Sequence, residues 1–263
     1  TDLQSSGLSV ETIRAEGFRS VTAQAANRDL GRTDLQGGAL EIPYQVPIGD
    51  PPFSRYKPDH PPTHKDGRTC KYLTAKGAGN RLYFPRILPK GILQDIERDL
   101  LVTEGEKKAI KSTQEGFPCI ALAGVWCFRS KDESGQSRPI ADLDYIEWKG
   151  RQVYIVFDSD LIDKPEIRRA ETGLAEELSS RGAAVRVVRL PDGPGGAKVG
   201  LDDFLLLHDG VGSAELRKLL KEARPSVSCV SSQKGGSTKI QWADPLPLPE
   251  ILPPVAPFDM ELL

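Results

Sequence analysis

The sequence predicts an α/β fold, a parallel sheet with helices on both faces, preceded by a small basic α+β subdomain. Three observations lead there. Residues 99–209 alternate short apolar runs with helical patterns, the strand–helix–strand order that builds a parallel sheet. Residues 41–90 break into short strand-like runs between Pro and Gly turns. Within residues 51–90 there are nine Lys and Arg against two acids, a local excess of seven positive charges in a chain whose net charge is −2.

The elements follow in order. Residues 1–40 are polar, with one helical signal over Val10–Ala15 capped by Ser9. Ile42–Val46, Phe53–Lys57, Lys71–Thr74 and Arg81–Phe84 read as strands. Leu100–Thr103 is a buried-strand run, and Glu106–Gln114 is a helix stopped at Gly116. Cys119–Ala123 and Val153–Phe157 are the next two strands. Pro165 suits a helix start, and Ile167, Ala170, Leu174, Ala175 and Leu178 give that helix one apolar face. Val185–Leu190 is a fourth strand, Asp202 reads as the cap of a short helix Asp203–Leu207, and residues 213–223 form a last helix. Residues 225–263 contain seven prolines and read as an extended linker to a further domain. The division is therefore 1–97 basic subdomain, 98–224 sheet domain and 225–263 linker.

Composition excludes several classes. The chain has 263 residues, 38% apolar and 27% charged, as in an ordinary soluble protein. Its longest apolar run, Ile120 to Phe128, is about half of the ~20 residues a membrane span needs. No basic-then-apolar leader opens the sequence, and it begins at Thr1, so a piece of a longer cytoplasmic protein is expected. Four cysteines (Cys70, Cys119, Cys127 and Cys229) form no CxxC pair, and three histidines (His60, His64 and His208) form no HxxxH pair. Reduced, structural cysteines are expected rather than a zinc site.

The acidic residues carry the chemistry. Glu104-Gly105 directly follows the strand Leu100–Thr103, and Asp158-Ser159-Asp160 directly follows Val153–Phe157. Ligands of a parallel α/β sheet sit at the carboxyl ends of its strands, so these acids fall on one edge. Three carboxylates converging there repel one another unless a cation is bound. Oxygen-only ligands favour Mg²⁺ or Mn²⁺, ions that serve phosphoryl transfer. Asp202, after the fourth strand, is a further candidate ligand alongside its capping role. Gly105 leaves room at the strand end, and the helix that follows brings its N-terminal amides and Lys107 toward a phosphate. In the basic segment Phe53, Tyr56, Tyr72, Tyr83 and Phe84 interleave with the cations, a pattern suited to single-stranded nucleic acid and equally to a solvated basic face.

The ordered pair Leu101-Val102-Thr103-Glu104-Gly105 and Ile155-Val156-Phe157-Asp158-Ser159-Asp160 resembles the TOPRIM domain shared by bacterial primases, topoisomerases and some nucleases. The resemblance implies that Glu104 acts as general base or metal ligand and that Asp158 and Asp160 bind Mg²⁺ or Mn²⁺. Upstream it narrows to DnaG-type primases. Ile42-Pro43-Tyr44, Lys71-Tyr72-Leu73-Thr74 and Leu82-Tyr83-Phe84-Pro85 look like three segments of the basic subdomain that precedes the TOPRIM part in those enzymes. Downstream, Arg189-Leu190-Pro191, Lys198 and Leu201-Asp202-Asp203-Phe204-Leu205 look like a further primase segment. The match spans about residues 41–209 and is nearest the TOPRIM-like family of unassigned function that precedes helicase-type ATPase domains in phage and plasmid replication proteins. Two departures stand out: Ala75–Asn80 replaces a template-loop motif, and Glu106-Lys107-Lys108 replaces the usual Tyr-Met-Asp after Glu-Gly. No Walker A motif is present.

The resemblance implies primer synthesis from NTPs on a single-stranded DNA template, with a fused or associated replicative helicase as partner and no membrane. Arg55, Lys71, Lys76, Asn80, Arg81, Lys107 and Lys198 are the implied template or nucleotide contacts. Two rivals are a TOPRIM nuclease using the same metal site, and a non-catalytic module that holds single-stranded DNA for a helicase.

Overall fold

A computed structural model of the chain describes residues 2–46, 50–63, 67, 69–160, 164–207 and 211–225. The expected linker beyond Pro225, with Cys229, and also His64, Lys65, Arg68 and His208, lie outside the described residues.

The N-terminal part contains α1 (Asp2–Ser5), α2 (Val10–Glu16), β1 (Arg19–Val21), α3 (Ala23–Leu30), β2 (Ala39–Pro43) and β3 (Ser54–Pro58). Ser9 caps α2 as expected, its hydroxyl accepting from the Thr12 amide at 3.1 Å. The sequence reading missed β1 and α3. Their marker is Thr22, which caps α3 by accepting from the Ala25 amide at 3.3 Å. The three strands form an antiparallel sheet in the order β1-β2-β3. Lys71–Thr74, expected as a strand, pairs only at Leu73, which exchanges two 2.8 Å backbone bonds with Tyr56. The chain touches β3 there once and then enters the glycine-containing stretch 75–80.

The central sheet is built from β4 (Leu82–Tyr83), β5 (Leu100–Glu104), β6 (Cys119–Leu122), β9 (Gln152–Val156), β10 (Ala184–Val188) and β11 (Arg224–Pro225). Its order is β11-β10-β9-β5-β6-β4, the four inner strands running parallel and both edge strands antiparallel. The expected strand Arg81–Phe84 shortens to β4 and joins this sheet, so the central sheet takes an edge from before residue 98. A small hairpin, β7 (Arg129–Lys131) and β8 (Ser137–Pro139), and a 3₁₀ turn over Ala141–Tyr145 follow β6; neither was legible beforehand.

Helices cover both faces of the sheet. On one lie α4 (Glu106–Gln114), α6 (Leu201–Leu207) and α7 (Gly212–Glu222), and on the other α5 (Pro165–Ser180). Strand alternation sorts the core. Leu101, Tyr154 and Val156 pack with Ala109, Ile110, Phe204 and Leu216, together with Leu3, Ile42 and Tyr44 from the N-terminal part. Leu100, Val102, Val153 and Ile155 pack with Phe128, Trp148, Leu174 and Leu178. Because both faces are buried, the strands read as continuous apolar runs. Among the described residues no helix is long and apolar enough to cross a membrane.

Candidate active site

Glu104 ends β5, and Gly105 turns the chain directly into α4. Gly105 takes φ +100°, a backbone conformation that favours glycine, and its amide donates to the Leu122 carbonyl at 2.9 Å. No side chain caps α4. Asp158 lies two residues past β9, which pairs in parallel with β5, so the two acids share the carboxyl edge of the sheet. Ser159 clips this loop to the chain ahead of α6. Its amide donates to the Val199 carbonyl at 2.9 Å, and its hydroxyl accepts from the Val199 amide at 3.0 Å.

The helix after that clip starts two residues earlier than expected, at Leu201. Asp203 reaches back to accept from the Gly200 amide at 3.2 Å, so the capping role falls to Asp203 rather than Asp202. Asp202 is buried, and its Oδ1 and that of Asp158 lie 3.0 Å and 3.3 Å from the position a Cβ on Gly200 would take. It lines a cavity of about 180 Å³ with Arg55, Tyr72, Glu104, Lys107 and Lys108. A larger cavity of about 690 Å³, between α5, β10 and α7, shares no lining residue with this cluster.

Lysines fill the space between the carboxylates. From the first turn of α4, the Lys108 Nζ lies 2.5 Å from Asp158 Oδ1 and 3.5 Å from Glu104 Oε2. The Lys198 Nζ lies 2.7 Å from Asp158 Oδ2 and 3.7 Å from Asp160 Oδ1, and Lys164 pairs with Asp160. Burial alone would lower the Lys108 pKa, but Glu104, Asp158 and Asp202 outweigh it and the net shift is upward. Lys198 shows the same balance, burial against Asp158 and Asp160, and is also raised. Asp160 is held below the usual carboxylate range, its burial overcome by Lys164, Lys198 and Lys108.

The donor chemistry fits a hard divalent cation: all-oxygen ligands at strand ends, with positive charge already drawn between them as an ammonium. The present spacing accommodates Lys108. Among the described residues no three Asp, Glu, His or Cys side chains stand grouped as a metal site. Glu104, Asp158, Asp160 and Asp202 are the oxygen donors of this edge, and both oxygens of Asp158 are paired with lysines, Lys108 and Lys198.

Of the expected nucleic-acid contacts, the structure brings Lys107 and Lys198 to the acidic edge. Lys107 also pairs with Asp2 at 3.3 Å. Lys71 and Lys76 are exposed. Arg55 is corrected: it is 1% exposed and its Nη1 lies 2.5 Å from the equally buried Glu106, so it joins two elements rather than meeting solvent phosphates. Arg81 is also corrected. It pairs with Asp50 at 2.8 Å and Asp142 at 3.1 Å, tying β4 to the 3₁₀ turn. Asn80 donates to the Arg129 carbonyl at 2.7 Å and braces the β7–β8 hairpin. The sequence reading assigned no role to Lys108, Lys164 or Ser159. No local periodicity marked Lys108, because Glu104 ends β5 while Lys108 stands in α4 and its other partner, Asp158, lies 50 residues on.

Residues 90–211 match the family described as Domain of unknown function (DUF3854). No curated protein matches the chain. Among solved structures, the chain is similar to the zinc-binding and RNA polymerase domains of the Aquifex aeolicus primase. Identity is 16% and the TM-score 0.56, over 85% of this chain and 55% of that one. It is similar to the RNA polymerase domain of the Mycobacterium tuberculosis primase DnaG, at 14% identity and TM-score 0.56 over 87% of this chain and 76% of that one. A DNA primase domain from Pseudomonas aeruginosa matches at 17% identity and TM-score 0.55, over 84% and 70% of the two chains. The chain thus has the fold of DnaG-type primase domains, and it spans about half the length of the Aquifex chain.

Proposed function

We propose that the chain is a primase-like catalytic core, of the TOPRIM type, that joins NTPs into a primer on single-stranded DNA with Mg²⁺ or Mn²⁺. The observation that carries this reading is the convergence of Glu104, Asp158 and Asp202 around Lys108, at the carboxyl edge of a sheet with the primase fold. Glu104, about one-third exposed at its side chain, takes the proton of the attacking hydroxyl or shares in ion binding. Asp158 and Asp160 would hold the ion, with Asp202, which shares the space around Gly200 with Asp158, as a further donor. A bound divalent ion supplies charge stabilisation for the attacking and leaving oxygens. Lys198, more than half exposed, is free to exchange its carboxylates for a nucleotide phosphate. Lys71 and Lys76 contact the template. The Pro-rich stretch after residue 225 suits a junction with a replicative helicase, the expected partner in phage or plasmid replication.

One observation favours a second reading, a non-catalytic module that holds single-stranded DNA for a helicase: both oxygens of Asp158 are already paired with lysines. The test is incubation with single-stranded DNA, labelled NTPs and Mg²⁺ or Mn²⁺, with Glu104→Gln and Asp158→Asn alongside. Extension products that vanish in both variants support the primase reading. Shortened template indicates a nuclease. DNA binding without any product, unchanged by Asp158→Asn, supports the module.

A further inference from the structure

We propose that Lys108 is a resident cation of the carboxylate cluster, competing with a divalent ion for Asp158 and Glu104 and so setting the metal affinity of the site. This rests on reading the cluster as a cation site, and is separate from whether the bound ion serves primer synthesis.

Four observations carry it. Lys108 is no loose surface lysine: its side chain is 17% exposed and it springs from the first turn of α4. Its Nζ touches two acids at once. Its seat depends on a missing side chain, because a Cβ on Gly200 would lie 2.9 Å from Lys108 Cε, 3.0 Å from Asp202 Oδ1 and 3.3 Å from Asp158 Oδ1. Its neighbour Lys198 binds the same Asp158 from a position 55% exposed, so Lys198 can leave for solvent while Lys108 is enclosed. A divalent ion on Asp158 Oδ1 must displace this ammonium or sit beside it, and like charges about 4 Å apart repel strongly even at the effective dielectric of a protein surface. Without any cation, the acids repel one another. Lys108 therefore keeps the cluster ordered in the absence of metal and opposes metal when it arrives.

The test measures Mn²⁺ binding, by the loss of the free-ion paramagnetic resonance signal, together with the melting temperature with and without Mn²⁺. Wild type, Lys108→Met and Lys107→Met are compared; the last makes the same charge change one residue away. Lys108→Met is expected to bind Mn²⁺ at least about tenfold tighter than wild type. It should melt lower without Mn²⁺ and gain more from adding it, as ligand linkage requires. Lys108→Arg keeps the charge and should stay near wild type, which serves if the Met variant does not fold. Equal affinity in wild type and Lys108→Met overturns the proposal, as does an equal gain in Lys107→Met. If neither wild type nor Lys108→Met binds Mn²⁺, the cation-site reading fails as well, whereas primer synthesis in the separate assay would still stand or fall alone.

Discussion

Arg55 Nη1 lies 2.5 Å from Glu106 Oε1, and the two side chains are 1% and 4% exposed. The Tyr44 hydroxyl donates to the same carboxylate oxygen at 2.6 Å, and the Tyr72 ring lies 4.7 Å from the guanidinium carbon. This buried pair joins β3 to α4, the helix that carries Lys108. Removing one member leaves the other charge buried and uncompensated, a loss of about 3–5 kcal/mol. Arg55→Met is expected to lower unfolding stability by that amount in urea titration. The double variant Arg55→Met with Glu106→Leu should recover a large part of it. A loss below about 1 kcal/mol in the single variant would show that solvent reaches the pair.

Gly105 makes a different kind of demand. The nearest atom to a Cβ placed there is Lys108 Cδ at 3.9 Å, so space is available, but φ is +100°. Gly105→Ala is expected to destabilise through backbone strain alone, by about 1–3 kcal/mol. If the backbone relaxes instead, the strand-to-helix turn shifts and Glu104 moves relative to Lys108. Chemical denaturation and primer synthesis, measured on the same variant, distinguish the two: strain lowers stability with activity retained, and relaxation spares stability and lowers activity.

Tyr44 and Tyr83 set the alkaline limit. Burial, and then the neighbouring carboxylate, Glu106 for Tyr44 and Glu16 for Tyr83, push both phenols well above their ordinary range. Each donates its hydroxyl at 2.6 Å. In the unfolded chain these phenols ionise near pH ~10. Their folded values are raised, so their contribution to stability is complete below about pH 10 and is lost as the pH rises beyond it. Phenolate absorbance should therefore show these two tyrosines titrating together with unfolding, while Tyr44→Phe and Tyr83→Phe each remove one phenol from that step. Titration of both before any loss of circular dichroism would refute this.

Legibility followed the physics of each signal. The parallel strands were readable because both sheet faces are buried, which makes Leu100–Thr103 and Val153–Phe157 continuous apolar runs. Glu104 and Asp158 were readable because each stands at the end of such a run. Arg55 was misread because a sequence shows its charge but not Glu106, its partner 51 residues away. The role of Asp202 turned on two residues of helix start, which Asp203 decides by accepting from the Gly200 amide. Lys108 was invisible as a site residue because its meaning comes from Asp158, 50 residues on, and from the missing side chain at Gly200. Such long-range pairings leave no local pattern.

Lys71 and Lys76 remain exposed while Arg55 and Arg81 are spent on internal ion pairs, so the basic segment offers nucleic acid fewer cations than its composition suggests. Tyr72, the sequence neighbour of Lys71, lines the cavity that holds Glu104 and Lys108. A cation that neutralises one phosphate of a single strand contributes about 0.7 to the slope of log affinity against log salt. Lys71→Ala and Lys76→Ala should each weaken single-stranded DNA binding at low salt and flatten that slope by about 0.7, without altering sequence preference. Fluorescence anisotropy at several salt concentrations measures both quantities. An unchanged slope in both variants would place the DNA path elsewhere on the molecule.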